Sequence, residues 1–273
     1  MIKLVALDLD DTTLDSESKI SSRTAATIRA AMAQGVTVTL ATGRMYRSAL
    51  PFALELGLDV PLITYHGALV KTSLGHEVLY HRPVPLDLAS YVLAFASKRR
   101  FDINLYMDDQ VYVREDNRHI EDYIKLSKVP YCKVADLNAV LCTEPDKILI
   151  IDEEAKLDGL ARDLKEMVGS RLHITKSKPY FLEITHPEAQ KGIALATLAT
   201  KLGIDRSQVM AVGDSYNDLD MLEYAGIGVA MGNARTEIKD RADFITLSNN
   251  EHGVAEAFKR FVLSAEYTAS LEV

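Results

Sequence analysis

A chain of 273 residues, 48% of them hydrophobic and 26% charged, can bury a sizeable core and is somewhat long for one compact domain. Its net charge of −8 argues against a nucleic-acid partner, and no stretch approaches the ~18 uninterrupted apolar residues that a membrane span needs. Cys132 and Cys142 are the only cysteines, too few for a disulfide framework or a tetrahedral zinc site. Lys3 and Asp8 bracket a run too short for a secretory signal, so a cytoplasmic protein is expected.

The first apolar run, Leu4 to Leu7, reads as a buried strand of a parallel sheet and stops at Asp8, Asp10 and Asp11. On a regular strand Asp8 and Asp10 would share a face. Carboxylates this close repel unless something positive lies between them, and a hard cation such as Mg²⁺ suits them. The bland alternative is an acidic turn after a core strand. Ser21 or Ser22 can cap a helix with Ala25, Ile28 and Met32 on one face, ending at Gly35. Val36 to Ala41 is a second strand, followed by Thr42-Gly43. A helix reaches about Gly57, and Pro61 to Tyr65 is a third strand. This alternation predicts a parallel sheet with right-handed crossovers. Leu69 to Lys71 and Val78 to Tyr80 flank Gly75 as in a hairpin.

From Pro83 to about Pro187 the pattern changes. Because proline fixes φ and removes a donor, the crossings near these two residues are expected to be stiff, strand-like linkers. Helices are expected at Leu86 to Arg99, at Asn117 to Ser127, and after Ile151 with Leu157, Leu160, Leu164 and Met167 inward. They are mixed with strands at 103–106, 111–113, 147–151, 173–175 and 181–184, which suggests a separate α+β unit. The doubly wound pattern resumes with a helix opening at Lys191-Gly192. Strands at 209–212, 227–230 and 244–246 and a helix from His252 to Leu263 follow. The expected fold class is α/β: a doubly wound, Rossmann-like parallel-sheet core with an inserted α+β cap. The core would comprise 1–83 and 188–273, and the cap 84–187.

Four strand ends then bring polar groups to one edge of the sheet: Asp8 to Thr12, Thr42-Gly43, Lys191, and Asp214 to Asp218. Singly, each reads as a turn, a cap or a solvated helix start. Lys191 is unusual even alone, because a lysine at a helix N-terminus opposes the macrodipole. Together they fit phosphoryl transfer. One carboxylate attacks phosphorus, a second moves the proton, and a cation, a lysine and backbone N–H groups hold the charge.

These residues resemble the motifs of the haloacid dehalogenase superfamily of phosphatases, most closely its Cof-like branch with an α/β cap. Asp8-Leu9-Asp10-Asp11-Thr12 matches the first motif, Thr42-Gly43 the second, Lys191 the third, and Gly213-Asp214-x-x-Asn217-Asp218 the fourth. The resemblance implies Asp8 as nucleophile and Asp10 as acid/base. Asp8, the backbone carbonyl of Asp10 and Asp214 would be Mg²⁺ ligands. It further implies phosphate binding by Leu9 (through its backbone), Thr42, Gly43, Lys191 and Asn217, with Thr12 and Asp218 supporting them. Asp11 stands where glycine is commonest, and Tyr65-His66-Gly67 where many relatives carry Asn-Gly.

The expected activity is Mg²⁺-dependent hydrolysis of a small phosphate ester, a sugar phosphate or similar metabolite, with neither nucleic acid nor membrane as partner. A phosphosugar mutase of the same superfamily would need the same two aspartates, and a phospho-acceptor signalling module is a further alternative. His66 on the core side, and Lys178 or Tyr180 from the cation-rich and aromatic stretch before Lys191, are candidate substrate contacts. The alternatives are a hydrogen-bonded loop histidine, a solvated lysine and a tyrosine packed inside the cap.

Overall fold

The computed structural model describes residues 1–116, 118, 120, 121, 124 and 129–263. The chain divides into two compact units. One is made of Met1–Gly43, Ala49–Tyr80 and the chain from Gln190 onward, the other of Arg44–Ser48 and His81–Ala189.

In the first unit a parallel sheet runs, from one edge, through Phe244–Ile245, Ile227–Ala230, Val209–Gly213, Leu4–Leu7 and Thr37–Leu40. A single parallel bridge, Ala41 to Ile63, leads on to Pro61–Thr64. That strand turns back antiparallel through Leu69–Thr72, with Val78–His81 beside it. The apolar runs form strands because both faces of this sheet are covered; Leu4, Val5, Ala6 and Leu7 are wholly buried. Alternate residues Leu4, Ala6, Val209 and Ala211 join one apolar cluster with Leu195 and Leu198 of the helix Lys191–Lys201 and Met221 of Leu219–Tyr224. Each buried leucine there stabilises by about 2 kcal/mol. The helix Ser22–Ala33 is capped by Ser21, whose hydroxyl accepts from the Thr24 N–H. Gly35 beyond its end has φ +82°, a conformation glycine adopts without strain.

The second unit is a six-stranded sheet in the order His173–Lys178, Phe181–Thr185, Lys147–Ile151, Asp102–Met107, Gln110–Val113 and Tyr131–Lys133. Its pairs are antiparallel except the last. Ile103, Leu105, Ile148, Ile150, Leu182 and Ile184 pack against the helices Leu86–Lys98 and Glu154–Val168. The alternate positions mix polar groups with the buried Leu149 and Ile151. Lys147 and Glu183 form a buried ion pair at 2.7 Å, and Asn104 Nδ2 and Thr185 Oγ1, both buried, have no hydrogen-bond partner among the described residues. Most of the expected helix from Asn117 to Ser127 lies outside the described residues: 117, 119, 122, 123 and 125–127.

Two expectations are corrected. Met167 is exposed, and Val168 takes the buried place in the helix Glu154–Val168. At about 100° per residue, Val168 falls about 20° from Leu157 around the helix and Met167 about 80°. Pro187 does not form a strand-like linker. It is the second residue of a turn closed by the Ala189 N–H donating to the His186 carbonyl at 2.9 Å, a position its fixed φ favours. Cys132 and Cys142 are both free thiols and exposed. Among the described residues, no helix is long and apolar enough to cross a membrane.

Candidate active site

The parallel sheet reverses its direction of winding beside Leu4–Leu7. From that strand the chain moves to Thr37–Leu40 on one side and later to Val209–Gly213 on the other. A crevice opens at such a switch point, outside the carboxyl ends of the two strands. Asp8 follows one end and Asp214 the other.

The first strand stops at Leu7 because Leu9–Thr13 closes a wide turn, with the Leu14 N–H donating to the Leu9 carbonyl at 2.9 Å. Asp8 and Asp10 therefore do not share the face of a regular strand. Asp8 is buried, while Asp10 and Asp11 are exposed. Thr13 donates to the Asp8 carbonyl at 2.6 Å, which secures the bend. Asp11 has φ +58°, a left-handed conformation that aspartate tolerates better than most side chains.

Lys191 begins its helix with no side-chain cap in front of it and is itself buried. Its ammonium lies 2.6 Å from Asp8 Oδ1 and 2.5 Å from Asp218 Oδ1. Burial works to strip its proton, but Asp218 and Asp8 outweigh burial and hold its pKa above the usual lysine value. The same two carboxylates offset its unfavourable place at a helix N-terminus. Asp218 is fixed from behind: its Oδ2 accepts from the backbone N–H groups of Asp214 and Ser215, each at 3.0 Å. Gly213 makes room for it, since a Cβ there would lie 2.6 Å from Asp218 Cβ.

Asp214 accepts from the Thr12 hydroxyl at 3.1 Å and from the Ser215 hydroxyl at 2.9 Å. Burial, then the neighbouring Asp218, pushes its pKa up to about 7. Burial and Asp218 likewise raise Asp8 well above the usual carboxylate range, with Lys191 opposing them. One oxygen from each of Asp8, Asp214 and Asp218 lies within 4.8 Å of the others. Three clustered carboxylates, with one ammonium held by only two of them, are under-neutralised, and a hard divalent cation would relieve that charge. Asp218 is committed to the Lys191 ammonium and two backbone N–H groups, whereas Asp214 is met only by two hydroxyls, which can rotate aside, so Asp8 and Asp214 are the carboxylates better placed to hold such an ion.

The remaining candidates fall in two places. Thr42 is buried just past Thr37–Leu40, its N–H donating to the Ile63 carbonyl at 2.9 Å. Gly43 lies beneath the His66 ring, and the Asn217 amide nitrogen lies 3.3 Å from His66 Nδ1. Leu9 is buried, directly after Asp8. Lys178 and Tyr180 belong to the second unit, where both are exposed; the Tyr180 ring meets Phe181 edge-on at 4.7 Å.

Sequence reasoning missed two supporting residues. Asp220 Oδ2 accepts the Gly192 N–H at 2.6 Å and so pins the helix that carries Lys191. Asn233 Nδ2 donates to the Asp11 carbonyl at 2.8 Å and steadies the first loop. Asn233 had a readable signal: it lies just past the strand Ile227–Ala230, at the same edge as the other strand-end groups. Asp220 reads locally as an ordinary acidic residue in the first turn of a helix.

The chain matches the haloacid dehalogenase-like hydrolase family over residues 5–258. It is 33% identical over 273 residues, 97% of this chain and 100% of the relative, to YxeH of Bacillus subtilis, a protein provisionally named as a phosphatase. It is 31% identical to the 5-amino-6-(5-phospho-D-ribitylamino)uracil phosphatase YitU of Bacillus subtilis, covering 94% of this chain and 97% of the relative. The crystal structure of a haloacid dehalogenase-like hydrolase from Bacteroides thetaiotaomicron superposes with a TM-score of 0.89 at 31% identity, covering 95% and 99% of the two chains. The subclass IIB sugar phosphatase BT4131 superposes with a TM-score of 0.84 at 25% identity, covering 95% and 98%. A match over nearly the whole sequence, with the same fold beneath it, means that this chain belongs to the haloacid dehalogenase-like hydrolases, in their Cof-like branch, and is a phosphatase.

Proposed function

We propose that the protein is a Mg²⁺-dependent phosphohydrolase of small phosphate esters that works through a phosphorylated Asp8. The observation that carries this reading is the buried ammonium of Lys191, held by Asp8 and Asp218 beside Asp214. A fixed cation and a cluster of carboxylates at a sheet switch point suit a dianionic phosphate better than a neutral substrate.

In this reading Asp8 attacks phosphorus through a carboxylate oxygen, the ester P–O bond breaks, and Asp10 gives its proton to the departing alkoxide. Asp10 then takes a proton from water, the water oxygen bonds to phosphorus, and the bond to Asp8 breaks. Inorganic phosphate leaves and Asp8 is free again. Lys191, Thr42, Asn217 and the backbone N–H groups of Leu9 and Gly43 hold the phosphate oxygens throughout. Asp218 keeps Lys191 aimed, and Thr12 keeps Asp214 aimed.

The donor set fits Mg²⁺, being all oxygen with no soft ligand in the group. Asp8, Asp214 and the backbone carbonyl of Asp10 would hold the ion, which when bound offsets the joint charge of carboxylate and phosphate. The first unit is then the catalytic core, and the second the cap that reads the leaving group. What supports the second assignment is the set of polar groups on one face of its sheet, Asn104, Thr185 and the Lys147–Glu183 pair, together with exposed Lys178 and Tyr180.

A panel of sugar phosphates, pyridoxal phosphate and nucleotides assayed with Mg²⁺ tests the reading. Release of inorganic phosphate without any bisphosphate activator is expected. Transfer back to substrate in place of release would mean a mutase.

A further inference from the structure

The loop after Pro61–Thr64 departs from what local preference would choose. Tyr65 has φ +51° and His66 φ +59°, followed by Gly67 at φ +100°. Two successive non-glycine residues in the left-handed region cost energy, so surrounding structure must hold them there. It does: Tyr65 and His66 are buried, and the His66 N–H donates to the Thr42 carbonyl at 3.1 Å. Gly67 fits so closely that a Cβ would lie 2.4 Å from the carbonyl oxygen of Gln190, the residue before Lys191. The loop is thus clamped between two phosphate-site segments.

The result is the placement of one imidazole. A Cβ on Gly43 would lie 2.3 Å from His66 Cε1, so the ring covers that glycine. The ring also meets Asn217, whose Nδ2 lies 3.3 Å from His66 Nδ1. An amide nitrogen can only donate, so Nδ1 accepts and the imidazole carries its hydrogen on Nε2. One N–H of the Asn217 amide is then used on His66, and the amide's rotation is set.

We propose that His66 is a positioning residue of the phosphate site, fixing the Asn217 amide through Nδ1 so that its second N–H is presented to the phosphate. The proposal rests on the phosphatase reading above. It differs from a leaving-group contact in a measurable way. A residue that acts through Asn217 affects every ester alike, and inorganic phosphate too, whereas a leaving-group contact reorders the esters.

Two variants test this while respecting the backbone. Asn and Gly both tolerate φ near +60°. His66→Asn supplies an acceptor oxygen, and His66→Gly supplies none. His66→Gly is expected to raise KM about five- to tenfold for every ester, the usual worth of one hydrogen bond, and to weaken inhibition by inorganic phosphate by the same factor. His66→Asn should recover most of that loss. Combined with Asn217→Ala, His66→Gly should add little further, since the two residues act as one unit. An unchanged phosphate inhibition constant, a reordering of the esters, or effects that simply multiply would overturn the proposal. Nitrogen NMR of the imidazole gives a readout that does not depend on turnover or on the glycine variant folding. Nδ1 should be unprotonated in the otherwise native protein, and its signal should move in Asn217→Ala. A proton on Nδ1, or no response to Asn217→Ala, would also overturn it. If the native protein hydrolysed no ester, the phosphatase reading would fail while the NMR result stood.

Discussion

Asp218 and Lys191 meet at 2.5 Å with both side chains wholly buried, and Asp218 is itself held by two backbone N–H groups of the loop that carries Asp214. This pairing links the helix opened by Lys191 to the end of the strand Val209–Gly213. A buried charge that loses its partner costs far more than an exposed one. Lys191→Met, which strands Asp8 and Asp218 without their cation, should lower stability by about 3–5 kcal/mol in urea unfolding at neutral pH without metal. Excess Mg²⁺ should restore part of it. Unfolding unchanged by the substitution would show that the carboxylates had taken up protons at no cost.

Asp8 and Asp10 should separate in their effects. Asp8→Asn should abolish turnover, because an amide is no nucleophile, and should weaken Mg²⁺ binding as well. Asp10→Asn should cost about 10²–10⁴ in kcat yet leave Mg²⁺ affinity nearly intact, since its backbone carbonyl is unchanged. Calorimetric Mg²⁺ titration beside steady-state kinetics checks both. Normal turnover by Asp8→Asn would end the mechanism.

The metal-free protein should lose stability as pH rises from about 4 to about 7. Asp214, with its pKa near 7, and Asp8, raised in the same direction, keep protons in the folded state that the unfolded chain gives up near pH 4. Folding is therefore favoured below that range, and the advantage is lost as pH passes the folded pKa. Because the ion needs both carboxylates ionised, Mg²⁺ binding at pH 6 should release protons. Melting temperatures with chelator across this range, and Mg²⁺ titrations in buffers of different ionisation enthalpy, test the sign. A rise in metal-free stability over the same interval would contradict it.

Activity should vanish with EDTA and return with Mg²⁺, with Mn²⁺ a substitute that oxygen ligands accept. Calcium should inhibit, because its larger and looser coordination misplaces the attacking oxygen. Full turnover in excess chelator, with no metal found by elemental analysis, would exclude the metal from the reaction.

Substrate choice should respond to the second unit. Alanine at Lys178 and Tyr180 should reorder a broad ester panel with little effect on phenyl phosphate, which has almost nothing to read beyond the phosphoryl group. If the ranking survives both substitutions, Asn104→Ala and Thr185→Val on the polar sheet face should change it.

What the sequence determines by itself here is what short-range physics dictates. Leu4–Leu7 and Val209–Gly213 are strands because an unbroken apolar run has to be covered on both faces, and Gly35 ends a helix because it takes φ +82° without strain. The rhythm of βα units also places Asp8, Thr42 and Asp214 at strand ends along one edge, since a parallel sheet aligns those ends whatever its details. Tertiary structure alone decided the rest. Asp8 and Lys191 are 183 residues apart, and no local preference states that their side chains meet at 2.6 Å. Only the packing of the helix Lys191–Lys201 on the sheet brings them together. The bend at Asp10 and Asp11 replaces the regular strand because Thr13 and Asn233 supply hydrogen bonds that a strand would not offer. The left-handed pair Tyr65 and His66 runs against local propensity. It is held by Thr42 and by the close approach of Gly67 to Gln190, contacts that exist only after the sheet and the Lys191 helix have docked.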